Sequence, residues 1–236
     1  MTTKEILQYV KDHPSAKVKI AFTDIDGILR GKYISSEKFL SVIENGMGVC
    51  NVIFGWDAGD VAYDNVQYTG WHTGYPDSPA VLDIKTFRKI PWENDVPFFL
   101  GELTDAKGNP STVCPRQLLK NILTEANKAG YAPIFSQEFE WYNFAETPQT
   151  ANDKQFKNLT PLTPGMFGYS ILRSSLENPY FADLFELLKK FNIPLEGLHT
   201  ETGPGTYEAA IVHAGILEAA DRAVLFKTAV KEIAYK

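Results

Sequence analysis

Cysteine is nearly absent from this 236-residue chain, which has only Cys50 and Cys114. Two thiols so far apart make neither a disulfide framework nor a zinc knuckle, and a reducing, cytoplasmic setting is the expectation. No apolar run is long enough to span a bilayer. The polar start Met1-Thr2-Thr3-Lys4-Glu5 does not read as a secretory signal. There is no internal repeat and no low-complexity tract. Basic excess is missing too: 23 Lys and Arg against 29 Asp and Glu leave a net charge of −6. Such a chain has no electrostatic footprint for nucleic acid or anionic lipid. What is present is ordinary for a globular protein, with 44% hydrophobic and 22% charged residues. The length accommodates two domains and a real core.

Ile6, Leu7 and Val10 share a helical face over residues 4–12, and Asp12-His13-Pro14 stops it. Val18, Ile20 and Phe22 then alternate with polar or small neighbours. The pair Asp26-Gly27 predicts a two-residue hairpin turn before a returning strand at Ile28–Ile34. A short helix follows over Ser36–Val42, capped by Ser35 or Ser36 and closed by Gly46. Turn formers break residues 49–103 into short strands, of which 81–84 and 98–103 are the clearest. Asp105–Pro110 reads as a linker, dividing a sheet-rich domain, residues 1–104, from a second domain, residues 105–236.

The second part opens with a helix: Pro115 sits in its first turn, Leu118, Leu119, Ile122, Leu123 and Ala126 form an apolar stripe, and Gly130 ends it. A strand is expected at 132–144, a long functional or mobile loop at 145–168, and a helix from Asn178-Pro179. Two extended runs, 195–202 and 206–212, flank Gly203-Pro204-Gly205. A final helix from about Gly215 reaches Lys236 without a terminator, which suggests a continuation beyond this segment.

Side chains two apart on a strand share a face. Glu138 and Glu140 therefore point one way and Phe139 and Trp141 the other, into core. Leu195, Gly197, His199 and Glu201 share a face on the next run, as do Thr206, Glu208 and Ala210. If these strands are neighbours, four glutamates converge. Like charges that close repel unless each is solvated or cations sit between them. Mg²⁺ and Mn²⁺ want such oxygen ligands; an acidic strand face turned to water is the alternative. His199 lies on the predicted face and either shapes the site or plays a structural role. His213 follows the second run and is a candidate for a pocket rim. Asp24-Ile25-Asp26-Gly27 imitates the nucleophile motif of haloacid-dehalogenase-type phosphatases, but Ile28 and a returning strand follow it, so the hairpin reading is preferred. Gly203-Pro204-Gly205 lacks the lysine and helix start of a phosphate loop and reads as a strand reversal.

These residues carry a resemblance. Glu138-Phe139-Glu140, the stretch Asn158-Leu159-Thr160-Pro161-Leu162-Thr163-Pro164-Gly165-Met166-Phe167-Gly168-Tyr169, and Glu196–Glu208 with its paired glutamates occur in the order of the class I glutamine synthetase superfamily. The chain looks closest to the glutamine-synthetase-like branch that includes the lens protein lengsin. The resemblance implies an α+β chain: a small N-terminal β-grasp domain followed by the first part of a glutamine-synthetase-type α/β catalytic domain. It implies an ATP-dependent ligase joining glutamate, or a related acid, to ammonia or another amine, with Mg²⁺ or Mn²⁺. By position, Glu140, Glu201 and Glu208 would hold the metal nearer the acceptor carboxylate, and Glu138 the metal on the ATP phosphates. Glu196 would lie near the nucleotide, with His213 on the cofactor side as well. Asp57 would serve the amine site of a neighbouring subunit, with Asp60 and Asp64 as alternatives. A homo-oligomer is implied, a dodecamer in the family.

Two departures stand out. Family members are about twice this length, and the missing half would bring the phosphate- and glutamate-binding arginines and a further metal glutamate. Phe54-Gly55-Trp56-Asp57 also replaces the usual Phe-Asp-Gly-Ser-Ser, which leaves the amine open. The chain alone is expected to show little ligase activity, and a non-catalytic assembly paralogue is the second reading.

Overall fold

In the computed structural model, which describes residues 1–236, contacts divide the chain into two units, Met1–Pro133 and Ile134–Lys236. The first begins with α1 (Thr3–Asp12), where Thr2 and Glu5 form a capping box. β1 (Lys17–Thr23) and β2 (Leu29–Ser35) form the expected hairpin. Its loop is not a two-residue turn. It runs from Asp24 to Ile28, because the buried Asp24 carboxylate accepts the N–H groups of Asp26 (2.9 Å) and Ile28 (2.8 Å) and draws five residues into the reversal. α2 (Ser36–Asn45) starts on a Ser35 cap and stops at Gly46, whose φ of +68° suits glycine.

β3 (Met47–Cys50), β4 (Asp77–Leu82), β5 (Arg88–Ile90) and β6 (Val96–Leu103) complete a six-stranded sheet. Its order is β2-β1-β6-β4-β3, with β5 on the same edge of β6 as β4. β1 and β6 run parallel at its centre. Every residue of β6 is buried, which explains its nearly unbroken apolar sequence. Phe39 of α2 stacks on Phe99 at 4.5 Å between centroids and anchors the core.

The turn at 105–110, where the sequence suggests a boundary, returns to this sheet: Thr104 bridges Pro110, and the Ser111 N–H donates to the Leu103 carbonyl at 3.1 Å. α3 (Pro115–Lys128) docks through its polar side. Arg116 bonds the buried Glu102 carboxylate and Asp83 (3.0 Å), and Lys120 reaches Glu102 at 2.8 Å. Its predicted apolar stripe is not core: Leu118 and Ile122 are more than half exposed.

The second unit holds β7 (Ile134–Phe135), β8 (Glu138–Tyr142), α4 (Pro148–Asp153), α5 (Ile171–Leu176), α6 (Asn178–Lys190), β9 (Leu195–Thr200), β10 (Thr206–Ile211), β11 (Ala214–Gly215) and α7 (Ile216–Tyr235). β7 pairs with β11, while β8, β10 and β9, in that order, make an antiparallel sheet. The expected strand at 132–144 is thus interrupted at Ser136-Gln137. The segment expected to be a long loop contains α4 and is clipped by Glu146, whose carboxylate accepts from Thr150 (2.7 Å), the Thr160 N–H (2.9 Å) and Lys154. One face of the sheet is core. Phe139 and Trp141 pack on Phe226 of α7, with centroids 5.2 and 5.6 Å away. The fully buried Tyr207 meets Phe181 of α6 at 5.5 Å.

Candidate active site

The register of β10 assembles the acidic face. Glu208 stands opposite Glu140 on one side and His199 on the other; Ala210 stands opposite Glu138 and Gly197. Paired residues project to the same face, so Glu138, Glu140, Glu208 and His199 share the face turned away from Phe226. Glu201 joins them just beyond β9, where its N–H donates to the Thr206 carbonyl at 2.8 Å. The Gly203-Pro204-Gly205 reversal makes this possible, with Gly205 at φ +75° and its N–H on the Thr163 carbonyl at 2.8 Å.

The tightest group is His199, Glu201 and Glu208, each offering one ligand atom within 4.8 Å of the others. His199 Nδ1 lies 3.8 Å from Glu201 and Nε2 3.8 Å from Glu208. These three side chains are about one-fifth exposed, between 18% and 25%. The Thr202 N–H, 2.6 Å away, holds the Glu201 carboxyl below its usual range, helped by the Thr202 hydroxyl. Glu201 is therefore an acceptor at neutral pH. Carboxylate oxygens suit a hard divalent cation, which also relieves the repulsion between facing carboxylates, whereas the imidazole beside them is a softer donor. The carboxylates of this face therefore fit Mg²⁺ or Mn²⁺, with His199 beside them.

Parity fails at one place. Leu195 was expected on the face of His199, but it pairs with the buried Ile211, while Gly197 pairs with Ala210. Glu196 is the extra residue of a β-bulge, and the bulge moves Leu195 to the core side. Glu196 is exposed there and His213 is exposed in the β10–β11 connection; neither belongs to the three-residue group. Glu138 and Glu140 share the face but are more exposed than Glu208.

Sequence reasoning did not single out Tyr169. Its N–H donates to the Thr200 carbonyl at 2.6 Å, the Ser170 N–H to the Thr200 hydroxyl at 3.0 Å, and that hydroxyl to the Phe167 carbonyl at 3.0 Å. The loop is thereby docked on the end of β9, and the Tyr169 ring stacks on His199 at 4.0 Å. The positive φ of Tyr169, +55°, marks a position held by this docking, but no local pattern announces it.

Asp57 lies in the first unit. Its Oδ1 accepts the N–H groups of Gly59 (2.8 Å) and Val61 (2.9 Å), folding residues 57–61 into a loop. Asp60 is ion-paired with Arg30.

Comparison with known proteins places this geometry. Residues 112–236 match the family model for the glutamine synthetase catalytic domain. The chain is 54% identical to type-1 glutamine synthetase 2 of Dictyostelium discoideum over 97% of its length and 44% of that protein's. It is 31% identical to the glutamate–isopropylamine ligase of a Pseudomonas species, over 99% of its own length and 52% of that protein's. A solved structure of ligand-free GmaS superposes with a TM-score of 0.77 at 19% identity, covering 96% of this chain and 49% of that one; this likeness concerns the fold. The chain spans about half the length of the curated relatives it matches.

Proposed function

The chain belongs to the glutamine synthetase superfamily, and we propose that it supplies the acidic half of an ATP-dependent carboxylate–amine ligase site. The observation that carries this reading is the register that sets Glu208 between Glu140 and His199. In the proposed reaction ATP phosphorylates the γ-carboxylate of glutamate or a related acid, and ammonia or an amine displaces phosphate to leave an amide. Bound Mg²⁺ or Mn²⁺ would neutralise phosphate charge and polarise the transferred group. Glu140, Glu201 and Glu208 would hold the cation nearer the acceptor acid, and Glu138 the one nearer the nucleotide. His199, held by the Tyr169 ring, borders the same face. Glu196 and His213 are assigned to the nucleotide side. Asp57 is assigned to the amine site of a neighbouring subunit in a homo-oligomer.

The parallel pair at the centre of the first sheet, with α2 packed on it through Phe39 and Phe99, supports reading residues 1–104 as a β-grasp domain. The family match starting at residue 112 supports reading 105–236 as part of the catalytic domain. The amine stays open, since the relatives include both a glutamine synthetase and an isopropylamine ligase. Those ligase relatives do not favour a purely structural role. The test is a calorimetric Mn²⁺ titration of the chain beside Glu208→Ala, with folding checked by circular dichroism. Saturable binding abolished by the substitution is expected. Absence of binding to the folded parent chain would overturn the metal assignment.

A further inference from the structure

Three loops of the first unit share one design. Asp24–Ile28, Asp57–Val61 and Asp105–Asn109 each begin with an aspartate whose Oδ1 accepts the N–H groups two and four residues on, at 2.8–2.9 Å. In each, the first residue's N–H donates to the carbonyl of the fifth, and the fourth residue's N–H to the carbonyl of the first. The fourth residue takes a left-handed conformation: Gly27 at φ +69°, Gly108 at +80°, but Asp60 at +63°. Glycine adopts that region freely, whereas a residue with a Cβ enters it at a cost that is smaller for aspartate than for most others. The loop bearing Asp57 thus departs from its siblings at the position where glycine is easiest.

The departure has a partner. The Asp60 carboxylate pairs with Nη1 of Arg30. Arg30 Nη2 donates to the Asp57 carbonyl at 3.1 Å, and Nε to the buried Asp24 carboxylate at 2.8 Å. The guanidinium also lies over the Trp56 ring, 5.5 Å from its centroid. Only 12% of the Arg30 side chain is exposed. One planar fork therefore ties two loops together at three nitrogens, which a lysine ammonium cannot do.

We propose that Arg30 and Asp60 are a positioning pair that holds the Asp57 loop in register and so orients the Asp57 side chain for the amine. This rests on the assignment of Asp57 made above. A turn with no such duty would be served better by glycine at residue 60. The test compares Arg30→Lys, Asp60→Gly and Asp60→Asn by amide exchange in the 236-residue chain, with the Lys107 and Asn109 amides as internal reference. Loss of the pair is expected to speed exchange at Gly59 and Val61 about tenfold, with the reference loop unchanged and Asp60→Asn partly rescuing. Unchanged or slower exchange in Asp60→Gly would overturn the proposal. In the assembled ligase, Asp60→Gly is expected to raise the amine KM and leave the glutamate KM alone. An Asp57→Asn variant separates the two claims. If it leaves the amine KM unchanged, the Asp57 assignment fails while the exchange result still judges the pair. If it raises the amine KM and Asp60→Gly does not, the pair has no part in amine binding and the proposal falls.

Discussion

The Tyr169 ring lies nearly parallel on the His199 imidazole, centroids 4.0 Å apart and planes 20° from coplanar. The contact joins a loop to the acidic face across thirty residues of chain. It also limits the rotamers open to an imidazole that stands between two glutamates. Such a stack contributes about 0.5–1.5 kcal/mol beyond burial. Tyr169→Ala is expected to lower stability by about 1 kcal/mol, read from the urea midpoint. It should also weaken Mn²⁺ binding without abolishing it, in contrast to Glu208→Ala. Unaltered Mn²⁺ affinity would mean that Tyr169 does not order the site.

Glu146 gives a pH prediction. The Lys154 ammonium, the Thr160 N–H and the Thr150 hydroxyl hold its pKa at about 2, against an ordinary value of 4.5. A carboxylate whose folded pKa is depressed contributes stability that is fully present above its unfolded value and is lost as pH falls through the folded one. The clip on residues 146–160 should therefore loosen between pH 4.5 and about 2. Exchange of the Thr160 amide is the readout. In Glu146→Gln, the protection of that amide relative to its intrinsic exchange rate should be lower already at neutral pH and lose its acid dependence.

Gly205 tests the reversal that sets the glutamate register. Its φ is +75°, and a Cβ there would run into the Asn143 carbonyl oxygen, which is backbone and cannot step aside. Gly205→Ala is expected to cost about 1–3 kcal/mol in a denaturation series. It should disturb Mn²⁺ binding as well, because the Asn143 N–H donates to the Gly205 carbonyl at 2.8 Å, next to the β8–β10 ladder. Full stability in the variant would mean that this close approach does not set the register.

Local rules were enough for much of this chain. Strand parity separates Glu138 and Glu140 from Phe139 and Trp141, because alternation is a property of one strand. Ser35 and Gly46 bound α2 through hydrogen bonds and dihedrals within a few residues. Tertiary structure decided what depends on distant partners. The order β8-β10-β9 turned glutamates on separate strands into one face. The bulge at Glu196 sent Leu195 to the core, since an extra residue becomes visible only against the neighbouring strand. The Asp24 carboxylate replaced a two-residue turn with a five-residue loop, and Glu102 gave α3 an ionic docking side that its apolar stripe did not foretell. Tyr169 reached His199 only because Thr200 bonds the loop that carries it, a contact that no periodicity encodes.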